Sequence, residues 1–307
     1  MKDKVVIITG GSSGIGRALA AVFGAHGSKV MITGRNGYNL EKTVRELEER
    51  GITISGFIGD VSLEEDNKRM AEEAIKRYGT IDILVNNAGI SMRALFEEAD
   101  LDVIQKVVNT NFLGVVYATK YCLPEIVRNK GSIIGISSIA GFQGLPGRTG
   151  YSASKFALNG FLEALRLELS PKGIHVLTAC PGFTSTNIRI QALTKNGKIQ
   201  GHSPRDEASM MSAEDCARYI YAATVRRKRT LVLTTQGKLA VLINKWLPGL
   251  ADRIVFYMMS KEPNSPFSDE FRFCSGKPFW CYQPCSDCDK IRPVHYKNLL
   301  ETLHCSF

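Results

Sequence analysis

The sequence predicts a doubly wound α/β fold: one seven-stranded parallel sheet with helices on both faces, in a single domain. Three observations predict it. Short apolar runs alternate with helically periodic segments over most of the 307 residues. The runs are apolar throughout rather than at every second position, as expected of strands covered on both faces. A glycine-rich turn joins the first run to the first periodic segment. Such alternation implies βαβ units stacked into one sheet.

The candidate strands are "VVIIT" (5–9), "VMIT" (30–33), "ISGFI" (54–58), "IDILVNN" (81–87), "SIIGISS" (132–138), "HVLTAC" (175–180) and "TLVLT" (230–234). Helical periodicity marks 13–26, 40–50, 63–77, 101–128, 151–170 and 213–226 between them. Together these form a region at 1–235. Residues 183–212 form a long polar insertion after the sixth strand, at the sheet edge where ligands bind, and are expected to act as a substrate lid. Residues 236–262 carry an apolar, roughly helical face that includes Leu239, Val241, Leu242, Trp246, Leu247, Leu250, Ile254, Val255, Tyr257 and Met258, interrupted by "LPG". That face has two readings: packing against the body or another subunit, or an amphipathic segment resting on a membrane. Residues 263–307 hold five of the eight cysteines. Cys274, Cys281, Cys285 and Cys288 with His295 lack the paired spacing of zinc sites, so no metal is expected and a poorly ordered tail is.

The turn "TGGSSGIG" lies between a strand and a helix. Gly10 permits a tight turn, Gly14 lets backbone approach a pyrophosphate, and Gly16 lets the helix pack closely on the strand. Free N–H groups at the helix start then face the phosphates. This is a dinucleotide site. At the end of the second strand, "VMITGRN" places Gly34 where an acid would bind the ribose hydroxyls of NAD, with Arg35 following. A guanidinium suits a 2′-phosphate, so NADP(H) is the expected cofactor. Asp60, in "GDVS", is expected near the adenine, and the "NNAG" at 86–89 near the riboses.

Bulk properties bound the alternatives. No apolar stretch reaches the length of a membrane span. The opening "MKDKVVIITGG" moves straight into a strand without a signal peptide's apolar region, so a cytoplasmic protein is expected. The net charge is +9, but its densest run, "RRKR" at 226–229, has no interleaved aromatics, which argues against a nucleic-acid partner.

Tyr151 and Lys155 sit four residues apart at a helix start, one above the other on one face. In combination with "TGGSSGIG", "NNAG", "NFLG" (111–114), Ser138, "YSASK" (151–155) and "PG" (181–182), in this order and spacing over roughly residues 1–235, the chain resembles the short-chain dehydrogenase/reductase family, whose fold is Rossmann-type. The resemblance implies catalytic roles for Asn111, Ser138, Tyr151 and Lys155. Tyr151 would exchange a proton with a carbonyl or alcohol oxygen, Ser138 would hold that oxygen, and Lys155 would pull the phenol's pKa down toward the working range. Lys155 would also reach the nicotinamide ribose, and Asn111 would hold a water relaying protons to solvent. Cofactor contacts are implied for Gly10, Ser12, Ser13, Gly14, Ile15, Gly16, Arg35, Asp60, Val61, Asn87, Ala88, Gly89, Tyr151, Lys155, Pro181, Gly182, Thr184 and Thr186.

The resulting expectation is an NADPH-dependent oxidoreductase acting on a ketone or secondary alcohol, with a lipophilic substrate suggested by the apolar extension. That extension looks like those of hydroxysteroid-dehydrogenase-like and acyl-chain-ketone-reducing members. A homodimer or homotetramer is implied, with peripheral membrane contact through 236–262 as the second partner. The alternatives are a non-catalytic NADP(H)-binding regulatory or redox-sensing protein, and a nucleic-acid or metal-binding module centred on the tail.

Overall fold

The fold is a computed structural model that describes residues 1–267. Its sheet runs in the order β3-β2-β1-β4-β5-β6-β7, parallel throughout. The strands are β1 Val5–Ile8, β2 Lys29–Gly34, β3 Ile54–Ile58, β4 Ile83–Asn86, β5 Ser132–Ile136, β6 His175–Cys180 and β7 Thr230–Val232. Successive strands progress outward from β1 in both directions, so a crevice opens beyond the carboxyl ends of β1 and β4.

Alternate residues of each strand feed two cores. Val6 and Ile8 pack with α1 (Gly14–Ala25), α2 (Gly37–Glu48) and α7 (Ala213–Val225) on one face. Ile7 and Met31 pack on the other face with α3 (Glu64–Tyr78), α5 (Gly114–Arg128) and α6 (Thr149–Leu169). Both residue sets are almost wholly buried, which is why these strands read as continuous apolar runs rather than alternating ones.

The structure departs from the sequence expectations at three places that bear on the site. The helix anticipated at 101–128 is two helices, α4 (Leu101–Val108) and α5, separated by a π turn at Asn109–Leu113. Single π turns often occur at functional positions. The helix anticipated from residue 40 starts at Gly37, because the Asn36 side chain accepts from the Asn39 amide at 2.9 Å and caps it earlier. The strand anticipated at 230–234 ends at Val232, and Thr234, whose φ of 64° lies in the left-handed region, turns the chain away from it. Its hydroxyl accepts from the Gly237 amide at 3.0 Å, starting α8 (Thr235–Trp246), and α9 (Pro248–Ser260) follows.

The insertion at 183–212 is less free than its composition suggests. Leu193 exchanges main-chain bonds with the segment after β4: Arg93 donates to it at 2.8 Å and it donates to Ser91 at 2.9 Å. Its side chain joins Met92, Val103 and Val107 in a small apolar cluster. The cysteines and histidine of the anticipated tail lie outside the described residues.

Candidate active site

A cavity of about 1010 Å³ occupies the crevice. One arm is floored by the glycine turn. Gly10 has a φ of +65°, and a Cβ at Gly16 would lie 2.3 Å from the Gly10 carbonyl and 2.5 Å from Asn87 Nδ2, so the turn admits only glycine at 16. Ser13 makes no side-chain cap at the start of α1, and the first-turn amides remain available to an anion. Thr9, which the sequence did not single out, fixes the opposite wall: its hydroxyl accepts from the amides of Asn87 and Ala88, both at 3.0 Å. Asn87 returns two bonds to the carbonyls of Thr9 and Gly10, at 2.9 and 3.0 Å. The two loops are therefore locked to each other at a fixed gap.

Arg35 and Asp60 meet at the far end of this arm, 3.8 Å apart. Both guanidinium and carboxylate stay partly exposed, so Arg35 keeps most of its donors for a phosphate. Gly34 leaves room here: a Cβ would come within 3.2 Å of Ser12 Oγ.

At the other arm, Ser138 lies two residues beyond the end of β5. Its hydroxyl caps a short helical turn by accepting from the Ala140 amide at 3.1 Å, and it lies near enough to the Tyr151 phenol to oppose the rise in that group's pKa. Tyr151 lies in the first turn of α6, with Lys155 one turn on. The Lys155 ammonium donates to the Ile136 carbonyl at 2.9 Å and sits 5.8 Å from the centre of the Tyr151 ring. Burial lowers the Lys155 pKa to about 8. The phenol's pKa does not follow the anticipated downward pull. Burial pushes it up, against the opposing effects of the Ser138 hydroxyl and the positive fields of Arg148 and Arg189. A phenol held in this way keeps its proton at neutral pH.

Asn111 lies inside the π turn, fully buried. Its Oδ1 accepts from the Ile90 amide at 2.8 Å, and its Nδ2 donates to the Ile90 carbonyl and to Ser154 Oγ, both at 2.9 Å. The two side-chain amide hydrogens are thus committed to the loop after "NNAG" and to Ser154 on α6. Asn111 and Gly16 stand behind the cavity wall, while every other anticipated site residue lines it. Pro181 and Gly182 follow β6, where a Cβ on Gly182 would collide with Thr234. Thr184 and Thr186 continue this wall, and the Thr186 amide donates to Glu207, which Arg189 also grips.

A model of the short chain dehydrogenase family matches residues 4–197. Dehydrogenase/reductase SDR family member 7B of Mus musculus is 36% identical over 274 residues, covering 87% of this chain and 85% of that protein. The chain is a short-chain dehydrogenase/reductase. Dehydrogenase/reductase SDR family protein 7-like of Drosophila melanogaster is 34% identical over 267 residues, covering 85% of this chain and 81% of that one. Among solved structures, a short-chain dehydrogenase/reductase from Burkholderia phymatum in complex with NAD superposes with a TM-score of 0.73 at 23% identity, over 81% of this chain and 95% of the other. An alcohol dehydrogenase from Thermococcus sibiricus, complexed with 5-hydroxy-NADP, gives 0.67 at 24%, over 76% and 96%. The seven-stranded fold and an NAD(P)-dependent oxidoreductase function follow from this membership.

The rest of this dehydrogenase's cavity is lined by residues that the sequence did not single out as site residues, in the C-terminal extension and the insertion. Helices α8 and α9 close it with Leu239, Ile243, Ala251, Ile254, Val255 and Met258. The insertion contributes Phe183, Arg189 and Arg205, and the loop before α6 adds Arg148. One side of the apolar face at 236–262, from which a lipophilic substrate is expected, lines this cavity. Part of it instead remains outside: Leu242, Trp246, Leu247, Leu250 and Tyr257 are exposed.

Proposed function

We propose that the chain is an NADPH-dependent carbonyl reductase acting on apolar ketones, with Tyr151 as general acid. The observation that carries this reading is one cavity joining Arg35 at one arm to the Ser138–Tyr151 pair at the other. The residues present fit a dinucleotide: a glycine floor that a Cβ would fill, uncommitted helix-start amides, and a cation where a 2′-phosphate would lie. A bound nicotinamide supplies or accepts the hydride.

The chain's own residues do the rest. Ser138 donates to or accepts from the substrate oxygen and sets it against the Tyr151 hydroxyl. Tyr151, which keeps its proton at neutral pH, gives that proton to the substrate oxygen. Lys155 places a positive charge beside the phenolate left behind. The apolar wall from α8 and α9 excludes water and suits a hydrocarbon body. The exposed side of the same helices combines Trp246, Leu247 and Leu250 with Lys238, Lys245 and Lys261, and we assign it to the surface of an anionic membrane. No helix among the described residues is long and apolar enough to cross one.

The test is a fluorescence titration with NADPH and NADH, for wild type and Arg35→Asp. NADPH should bind at least about tenfold tighter to wild type, with the preference reversed in the variant. Equal binding of the two nucleotides refutes the NADPH assignment. Tyr151→Phe should keep NADPH binding and lose turnover by about 10²–10⁴-fold; unchanged turnover refutes the general-acid role, whereas NADPH binding with no turnover of any ketone by wild type favours a regulatory protein.

A further inference from the structure

A cluster of four charged side chains lies at the substrate end of the cavity, and its charges do not balance. Glu262, just after α9, is buried. Its carboxylate takes Arg205 Nε at 2.7 Å, Arg148 Nη2 at 3.0 Å and Arg93 Nη2 at 3.6 Å. Three guanidiniums share one carboxylate, and among the described residues none of the three pairs with another acid. Two positive charges are left over where burial makes uncompensated charge costly.

The leftover donors have a direction. Arg148 Nη1 lies 3.6 Å from the Met259 sulfur, and Arg205 Nη2 lies 3.9 Å from the same atom. A thioether is a weak acceptor and cannot satisfy a guanidinium. Arg148, Arg205 and Met259 all line the cavity. Arg205 is held in place by stacking on Phe183, 4.0 Å from the ring centre. Next to them runs the apolar wall of Ile254, Val255 and Met258. The field of Arg148 reaches the Tyr151 phenol, so the cationic end and the proton donor belong to one chamber.

We infer that Arg148 and Arg205 form an anion subsite for a carboxylate carried by the substrate, and that the substrate class is an oxo acid with an apolar chain. The inference rests on the carbonyl-reductase reading above and narrows it. A carboxylate is favoured because Glu262 already shows how these guanidiniums share one, with Arg205 Nε on one oxygen and Arg148 Nη2 on the other. The substrate's carboxylate takes the donors now facing Met259, while its chain lies along α9 and its ketone reaches Ser138 and Tyr151.

Binding separates this inference from the enzymatic reading, because it needs no turnover. Calorimetry on the full chain, with and without NADP⁺, compares decanoate, decan-1-ol and decyl phosphate. Decanoate should bind at least about tenfold more tightly than decan-1-ol. Arg205→Met should abolish that preference while leaving decan-1-ol affinity unchanged, and Arg205→Lys should restore part of it. Equal affinities for decanoate and decan-1-ol in wild type overturn the subsite outright, whether or not the variant folds. Tighter binding of decyl phosphate overturns the carboxylate assignment. A parallel arm follows NADPH oxidation with decanoates bearing the ketone at successive carbons. Failure there with decanoate preference intact refutes the reductase and leaves the subsite standing; turnover of decan-2-one as efficient as that of every oxodecanoate refutes the subsite alone.

Discussion

Replacing Lys155 with methionine should make the protein inactive and more stable. Lys155 is 4% exposed, and burial takes its pKa from an ordinary 10.5 to about 8. One pKa step corresponds to about 1.4 kcal/mol, so holding the ammonium inside costs the fold about 3 kcal/mol at neutral pH. The bond to the Ile136 carbonyl offsets part of this, and losing it costs about 1–2 kcal/mol. Lys155→Met should therefore stabilise by about 1–2 kcal/mol at pH 7, measured by urea unfolding. Below pH 8 the group is protonated in both states and the full cost applies. Between pH 8 and 10.5 the unfolded chain binds more protons than the folded one, so wild-type stability should rise with pH across that window. By pH 10 most of the difference between wild type and variant should have vanished or reversed. A variant less stable at pH 7, or a difference that does not change between pH 7 and pH 10, would refute the claim that burial governs this lysine.

Two further outcomes follow from particular contacts. Gly16→Ala drives a methyl into the Gly10 carbonyl and should remove dinucleotide binding, measured by nicotinamide fluorescence, while Gly144→Ala, where a Cβ meets nothing within 4 Å, should be silent. Wild type should co-float with phosphatidylserine vesicles, and the double variant Trp246→Glu, Leu250→Glu should lose this with nucleotide binding retained; no co-flotation of wild type, or vesicle binding unaffected by the two charges, would remove the membrane assignment.

The positions of the strands along the chain, the glycine turn and the Tyr–Lys pair were legible because each is a local pattern. Strands buried on both faces must be apolar throughout, and a turn that brings backbone to phosphate needs glycine at fixed offsets. What stayed hidden depends on distant partners. Asn111 reads as one polar residue within a helical stretch, and nothing nearby in sequence reveals that it bonds both main-chain groups of Ile90, 21 residues upstream. The direction of the Tyr151 shift depends on how deeply α8, α9 and the insertion bury the pocket, and i, i+4 spacing carries no information on that. Glu262 and Arg93 are 169 positions apart, and no periodicity links them.

The Glu262 cluster also bears on how the molecule is made. Arg93, Arg148 and Arg205 leave the ribosome well before the carboxylate that joins them. Until residue 262 emerges, the sheet can form but its substrate end holds three like charges with no counter-charge between them. Helices α8 and α9 and the residue that follows them therefore bring the counter-charge to the substrate end, and a chain stopped at 235 would release a sheet whose active-site mouth holds three guanidiniums without it.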